Sequence, residues 1–507
     1  MPLLTTVSTA VPGVTVSENT FGAIPASLSS FNSVYMLGYS NKAGAPYNVP
    51  TFIQSPDDFY NVFGTSFSAN SVQLFFDQRS GAGLWFINVA PRDSFTVTVG
   101  TVTVGAAYTL TIDSFNVTYT AVTGDTAASV LTGLANQVNL LASHNAYLSA
   151  AGALAVTPGV TVTATANLTL GSRVVAATYP VMLDVVRAIN TAFDADMRQG
   201  FLIAPEFFQS FTVATDRASL AQAMEAFCSD PQYNWMALVD CGATAATATT
   251  QSAAMNLAIA EKGQLSSPKG HTAYFWPYWV NLAGAQVPMS PAVAGVALRR
   301  FRAEGYRQPA AGTRYPVYGV NDTSYPVTDK IQGALNPQGI NCGRKLPASR
   351  GMVIYGARTI STSPFYTFMT TRVIMNVLDG TLSRAFDDVV FSSVDGQGVL
   401  FGRLKGTAVQ ICEALRQAGA LYGASAEDAY LVICDNTNNP SSALEAGQVS
   451  MDVIVKPSPI LEVLSVRVSR ASIGTKLQEI ASSGDLSAIK TPTALEGSSA
   501  VAAPKNV

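Results

Sequence analysis

Charge is what this 507-residue chain has least of. Lys, Arg, Asp and Glu together make up 12% of it, about half of the roughly 25% found in an average soluble domain. Histidine is nearly missing, with only His144 and His271. Two histidines cannot build a His-rich metal site, and a Ser-His-Asp arrangement would have to rest on one of them. A satisfied surface or core role is the expectation for both. No C-x-x-C pair occurs, which excludes a zinc ribbon or redox motif. The five cysteines, Cys228, Cys241, Cys342, Cys412 and Cys434, are widely spaced and odd in number. They are expected as reduced thiols rather than a disulfide framework. There is no run of five basic residues and the formal net charge is −3, so electrostatics makes no case for nucleic-acid binding. The opening "MPLLTTVSTAVPGVTV" has no basic flank and carries Pro12 and Gly13 where a signal peptide needs an apolar core. The most apolar stretch, "AYFWPYWVNLAGAQV", is broken by Pro277 and Asn281 and is too short to span a bilayer.

What is present is ordinary in amount. Apolar residues make up 48%, enough for sizeable cores, and the length implies two to four domains. A surface this poor in charge has two readings: faces buried against copies of the same chain, or a Thr/Ala-rich neutral surface. Between Asp93 and Arg173 the only charged residues are Asp113 and Asp125. "SFTVTVGTVTVGAAYTLTI" alternates with period 2 and predicts strands, "TAASVLTGLANQVNLL" one helix, and "GALAVTPGVTVTATANLTL" strands again. This predicts a small β-rich domain, residues 94–172, inserted into a larger one.

Around the insert, helical and strand patterns alternate. "SVYMLGYS" reads as a strand and "SPDDFYNVFG" as a capped helix ending at Gly64, with Asp57 and Asp58 in the first turn. "VMLDVVRAINTAF" leads to "GFLIAPEFF", "DRASLAQAMEAFCSD" to "YNWMALVD", and "QSAAMNLAIAEKG" to "HTAYFWPYWV". The alternation predicts an α/β layer. From residue 346 the expectation is a strand, a long helix, a strand, a helix and closing strands. After Ile473 the Ser/Ala/Thr-rich chain reads as a flexible tail, 474–507. The fold class is therefore multidomain α/β (α+β).

Chemistry is hard to find. "GQGVLFGRLKGTA" (Gly396–Ala408) fails the spacing of G-x-G-x-x-G and of G-x-x-x-x-G-K-[ST], because Lys405 is followed by glycine. A helix start after a turn, with Arg403 and Lys405 exposed, is the preferred reading. Both ends, by contrast, look like arms. Val11, Val14 and Val16 lie in an extended uncharged segment, and Leu461, Val463, Val466 and Val468 in a strand set apart by Pro457 and Pro459. Such strands either pair within their own domain or add to another subunit's sheet.

"ALNPQGINCGRKLPASRGMVIYGARTI" (residues 334–360) mixes turn residues, four cations and a short apolar strand without an acid or a histidine. It resembles the stretch that leads into the C-terminal domain of contractile tail sheath proteins of bacteriophages and related injection machines. "VPGVTVSEN", "VYMLGYSNKAGAPYNVPTFIQSPDDFYNVFG", "TAYFWPYWVNLAGAQVPMSPAVAGVALRRFRAEGYRQPAAG" and "RQAGALYGASAEDAYLVICDNTNNPSSALEAGQVSMDVIVKPSPILEVLSVRV" resemble further pieces of that family, in its order. "YTFMTTRVIMNVLDGTLSRAF" is less charged than the family's usual helix at that place, and the tail is long.

The resemblance implies a structural subunit, not an enzyme, with no cofactor, no metal and no direct nucleic-acid or membrane partner. It would polymerise helically around an inner tail tube and contract, with baseplate and tail terminator proteins as further partners. It implies a location in a virion tail assembled in a host bacterial cytoplasm, or in a non-viral injection system or bacteriocin. The implied organisation is an arm (1–25), an α/β sheath domain (26–93 and 173–345), the insert (94–172), a conserved domain ending in an arm strand (346–473) and the tail. Pro337, Gly339, Pro347 and Gly351 would shape the crossing into the conserved domain, with Arg344, Lys345, Arg350 and Arg358 tying it down. Arg403, Lys405 and Arg416 are expected on a helix of the conserved domain as tube contacts. An α/β nucleotide-binding enzyme using the Gly396–Lys405 loop is the alternative of another class.

Overall fold

The computed structural model describes residues 30–91, 95–112, 115–141, 145–148, 152–157, 162–165, 167–171, 179–194, 197–346, 351–396 and 398–464, with Leu28, Val466 and Val468. The N-terminal arm with Val11, Val14 and Val16, His144, Pro347, Arg350 and the 474–507 tail lie outside them. The chain divides into a body, Met1–Ile460, and a second unit, Leu461–Val507.

The body is organised by one mixed sheet of eight strands: β1 (Ser33–Gly38), β2 (Thr51–Ile53), β3 (Leu84–Asn88), β4 (Gly200–Ile203), β5 (Met236–Asp240), β6 (Thr272–Trp276), β7 (Ile340–Lys345) and β8 (Met352–Ile354). Their spatial order is β8-β7-β6-β5-β4-β1-β3-β2. The six strands from β7 to β3 run parallel, and β8 and β2 close the two edges antiparallel. Alternation along each strand explains why both faces carry helices. Val34, Met36, Phe201, Ile203, Met236, Leu238 and Phe275 enter one core, while Tyr35, Leu37, Leu202, Ala237, Val239, Tyr274 and Trp276 enter another.

The first core is covered by α1 (Pro56–Phe63), α2 (Ala69–Asp77), α7 (Ser290–Glu304), α9 (Met369–Phe386) and α10 (Val399–Gln417). The second is covered by α3 (Met182–Thr191), α4 (Pro205–Ser210), α5 (Ala214–Ser229), α6 (Gln251–Gly263) and α8 (Asp329–Leu335). Helix α1 starts and stops where its sequence says: the Ser55 hydroxyl accepts from the Asp58 amide, and Gly64 caps the end.

Residues 95–170 form two small antiparallel sheets and one helix, Ala127–Asn139, around a core of their own that includes Tyr108, Leu110, Val130, Leu134 and Val156. The strand entering this insert, Phe95–Val99, pairs with the one leaving it, Leu168–Leu170.

Two expectations for the C-terminal third change. The "GMVIYGA" strand does not start a new sheet. It is β8, pairing Gly343 with Ile354 and Lys345 with Met352, so the main sheet runs across the boundary placed at 345/346. The reason is that β7 supplies a free edge to the next extended segment. Secondly, among the described residues no strand lies between α9 and α10: residues 390–396 form a loop, because Val390, Phe391 and Val394 are exposed and find no sheet edge. Helix α10 follows directly. Of the two closing strands only the first forms: β10 (Asp452–Val455) pairs with β9 (Tyr430–Ile433), while the described residues of 461–468 form no strand.

Candidate intersubunit surface

A doubly wound sheet binds ligands in the crevice beyond the C-terminal strand ends, where the strand order reverses. Here that point lies between β1 and β4, and the chain's own side chains close it. The Glu206 carboxylate accepts from the Tyr39 amide at 2.9 Å, from the Tyr179 hydroxyl at 2.8 Å and from the Ser68 hydroxyl. Burial pushes its pKa up. One strand over, Asp240 accepts from the Ser290 amide and hydroxyl, 2.8 and 2.5 Å away, and caps α7; burial raises it to about 7. Glu261 is held by Arg217, the Gly242 amide and the Tyr274 hydroxyl. An open cleft of about 440 Å³ beside Tyr179, Met182, Ser210, Phe211 and Asp216 has no cation among its described lining residues and carries the Asp216 carboxylate, so they offer a phosphate no charge to pair with.

The glycine loop at 396 answers the same way. Gly398 precedes α10, and the amides of Val399 and Leu400 donate to the Asp395 carboxylate at 2.9 and 2.8 Å. Those are the groups a phosphate would need at a helix N-terminus, and an anion already holds them. Among the described residues no cluster of three His, Cys, Asp or Glu side chains could hold a metal, and no helix is long and apolar enough to cross a membrane. The described cysteines are all free and buried.

The segment 334–360 threads the last parallel strand into the sheet. Gly339 turns the chain in the left-handed region, φ 75°, and Gly343 lets β7 pass where any Cβ would strike Trp279 and Met289. Arg344 lies against the Tyr355 ring at 5.0 Å and pairs with Asp329 at 2.7 Å, so it ties the strand to α8. Lys345 donates to the Asn321 carbonyl at 3.4 Å.

The three cations on α10 do not act as one set. A helix advances about 100° per residue, which puts Lys405 and Arg416 on one flank and Arg403 on the other side of the buried stripe Leu404, Ala408, Ile411 and Leu415. Arg403 pairs with Asp388 at 2.8 Å. Arg416 grips both oxygens of Glu413, whose pKa falls to about 2 through that bond. Lys405 is exposed.

The small sheet on α10 has free edges. Val432 of β9 and Val453 of β10 face the core, while the cross-strand pair Leu431 and Ile454 is about half exposed. Neither strand has a second partner strand among the described residues. Asn439 holds the connection, donating to the Asp435 and Ser450 carbonyls and accepting from the Ser450 amide. Two-stranded sheets are marginal alone, and open edges invite another strand. The sequence supplies one: Leu461, Val463, Leu464, Val466 and Val468 are each at least 72% exposed and form no strand in the single chain. The sequence singled out the Leu461–Val468 segment but not the open edges of β9 and β10, because an unpaired edge is invisible in a pattern of side chains.

No protein-family model matches the sequence, and no curated protein matches it. Solved structures do match the fold. The sheath complex of an extracellular contractile injection system, PVC, in its contracted state aligns with a TM-score of 0.57 at 16% identity, over 92% of this chain and 99% of that one. The contracted helical sheath of the anti-feeding prophage, AFP, aligns at 0.55 and 17%, over 91% and 100%. A chain of the six-fold symmetrised AFP baseplate aligns at 0.54 and 17%, over 92% and 100%. The resemblance read from the sequence thus extends to the fold along nearly the whole chain.

Proposed function

We propose that this chain is the subunit of a contractile sheath, polymerising helically around an inner tube and contracting to drive that tube through a target envelope. The observation that carries the proposal is the open-edged β9–β10 sheet in a chain whose C-terminal segment presents unpaired apolar residues at strand spacing. Strand addition by Leu461–Val468, and by Val11–Val16 at the other end, links one copy to the next through backbone hydrogen bonds. Such contacts are heterologous and do not close, so they build helices. Contraction is a switch between two packings of the same bodies, with the arms keeping neighbours joined. In this reading residues 94–172 are the variable insert, 346–473 the conserved domain and 474–507 a tail. Lys405 and Arg416, on one flank of α10, meet the tube, while Arg403, the third candidate, lies on the other flank against Asp388; baseplate and terminator proteins bound the assembly. The fold likeness supports a sheath in either a phage tail or an injection machine; capsid and terminase genes beside this one would assign it to a virion.

Electron microscopy of the purified protein over a range of concentrations tests the proposal. Hollow tubes with a helical repeat are expected. Small uniform particles at every concentration, also with a tube partner co-expressed, would overturn it. Deleting residues 1–18 is expected to leave a folded monomer that does not polymerise, and ordered tubes from that variant would remove the arm's role.

A further inference from the structure

Phe391 is fully exposed and sits at φ 71°, a backbone conformation that bulky residues adopt only under constraint. Val390 and Val399 are also well exposed, and Asp387 and Asp388 are exposed alongside. Asp388 already pairs with Arg403, which leaves Asp387 as the loop's carboxylate, and a loop that holds an aromatic ring out in water near such a charge is an anchor without a socket.

The socket is elsewhere on the chain. A groove of about 370 Å³ at the outer edge of the main sheet is lined by Phe52, Phe76, Arg79, Ser80 and Ala82. Phe52 is 46% exposed there. Arg79, also at positive φ, lies 5.4 Å over the Tyr318 ring, and Arg302 reaches the position a Cβ of Gly81 would fill. The outer side of β2 has no strand partner among the described residues. A groove with Phe52 and Phe76 in its wall and the Arg79 cation at its rim complements an exposed aromatic ring on a loop that carries Asp387, in both shape and charge.

We propose that the 387–394 loop of one copy docks into the Phe52–Arg79 groove of the next, as a second heterologous contact beside the arms. This rests on the sheath reading. Phe391 cannot be serving its own chain's groove, because it is fully exposed. A central aromatic anchor with charged neighbours is the usual composition of an interface hot spot.

The test compares full-length variants by sedimentation and electron microscopy. Phe391→Ser and Arg79→Glu are expected to raise the concentration needed for tube assembly by about tenfold or more, with unchanged thermal unfolding of the unassembled protein. Combining Arg79→Glu with Asp387→Arg is expected to recover most of that loss. Single variants that assemble like the parent, or a charge exchange that recovers nothing, would overturn the contact while leaving the sheath reading intact. If the parent itself forms no tubes under any condition, the sheath reading fails instead.

Discussion

His271 is one of only two histidines, and its surroundings decide what it can do. It lies immediately before β6, 1% exposed, with Nδ1 2.9 Å from the Trp235 carbonyl. Burial first, and the Arg372 charge second, lower its pKa from 6.5 to about 4. Above pH 6.5 the ring is neutral in folded and unfolded chains alike. As pH falls from 6.5 towards 4, only the unfolded chain takes up the proton, so folding loses stability across that window. The loss is on the order of 3 kcal/mol. Asp240 works in the opposite direction. Its pKa is raised from 3.8 to about 7, so the folded chain holds a proton that the unfolded chain lacks between those values, and stability rises as pH falls. Comparison with a His271→Gln variant separates the two. Urea melts at pH 7 and pH 4.5 are expected to show the parent losing more stability than the variant on acidification; equal losses would mean that His271 is not the acid-sensitive group.

At the scale of elements, α10 shows how two readings of one motif part. The glycines, Arg403 and Lys405 of "GQGVLFGRLKGTA" could belong to a phosphate loop or a helix start, and the deciding residue is Asp395, just ahead of the motif. Its carboxylate occupies the first free amides of the helix. Asp395→Ala is expected to cost about 1 kcal/mol, as for a lost N-cap, seen as a lower urea midpoint with an unchanged slope. An unchanged midpoint would show that the cap contributes nothing. Helices α1, α3, α5 and α6 were legible from apolar residues at helical spacing, and α1 and α6 carry side-chain caps at Ser55 and Thr250, although α3 and α5 are buried on most of their surface. The 390–396 loop was not legible as a loop. Val390, Phe391 and Val394 look like a strand, and only the absence of a sheet edge to receive them makes them otherwise.

At the scale of the molecule, the insert is joined to the body through paired strands. Val97 faces Leu170 in the ladder, and the Gly171 amide donates to the Thr96 carbonyl at 2.7 Å. Its core is its own. Replacing residues 95–170 with a short Gly/Ser linker is therefore expected to leave the eight-stranded sheet folded, with a cooperative thermal transition and a smaller denaturant slope in proportion to the lost surface. A chain that no longer unfolds cooperatively would show the insert to be part of the main core.

Sequence by itself determined most of the local elements, the neutral β-rich insert, the α/β layer and the exclusion of a His-rich metal site and of C-x-x-C motifs. These follow from periodicity, composition and residue counts, which need no partner in space. Tertiary structure decided what depends on which segments meet. It placed β8 on the main sheet rather than in a new one, filled the switch-point crevice with Glu206, held Asp240 and Glu261 in hydrogen bonds farther along the sheet, and split Arg403 from Lys405 and Arg416 across α10. Among the described residues it also left β9 and β10 with no further strand partner and Phe391 fully exposed. A strand's hydrogen-bonding edge and a helix's angular position relative to its core are properties of packing. No one-dimensional pattern carries them, which is why the open strand edges and the exposed ring became visible only in the folded chain.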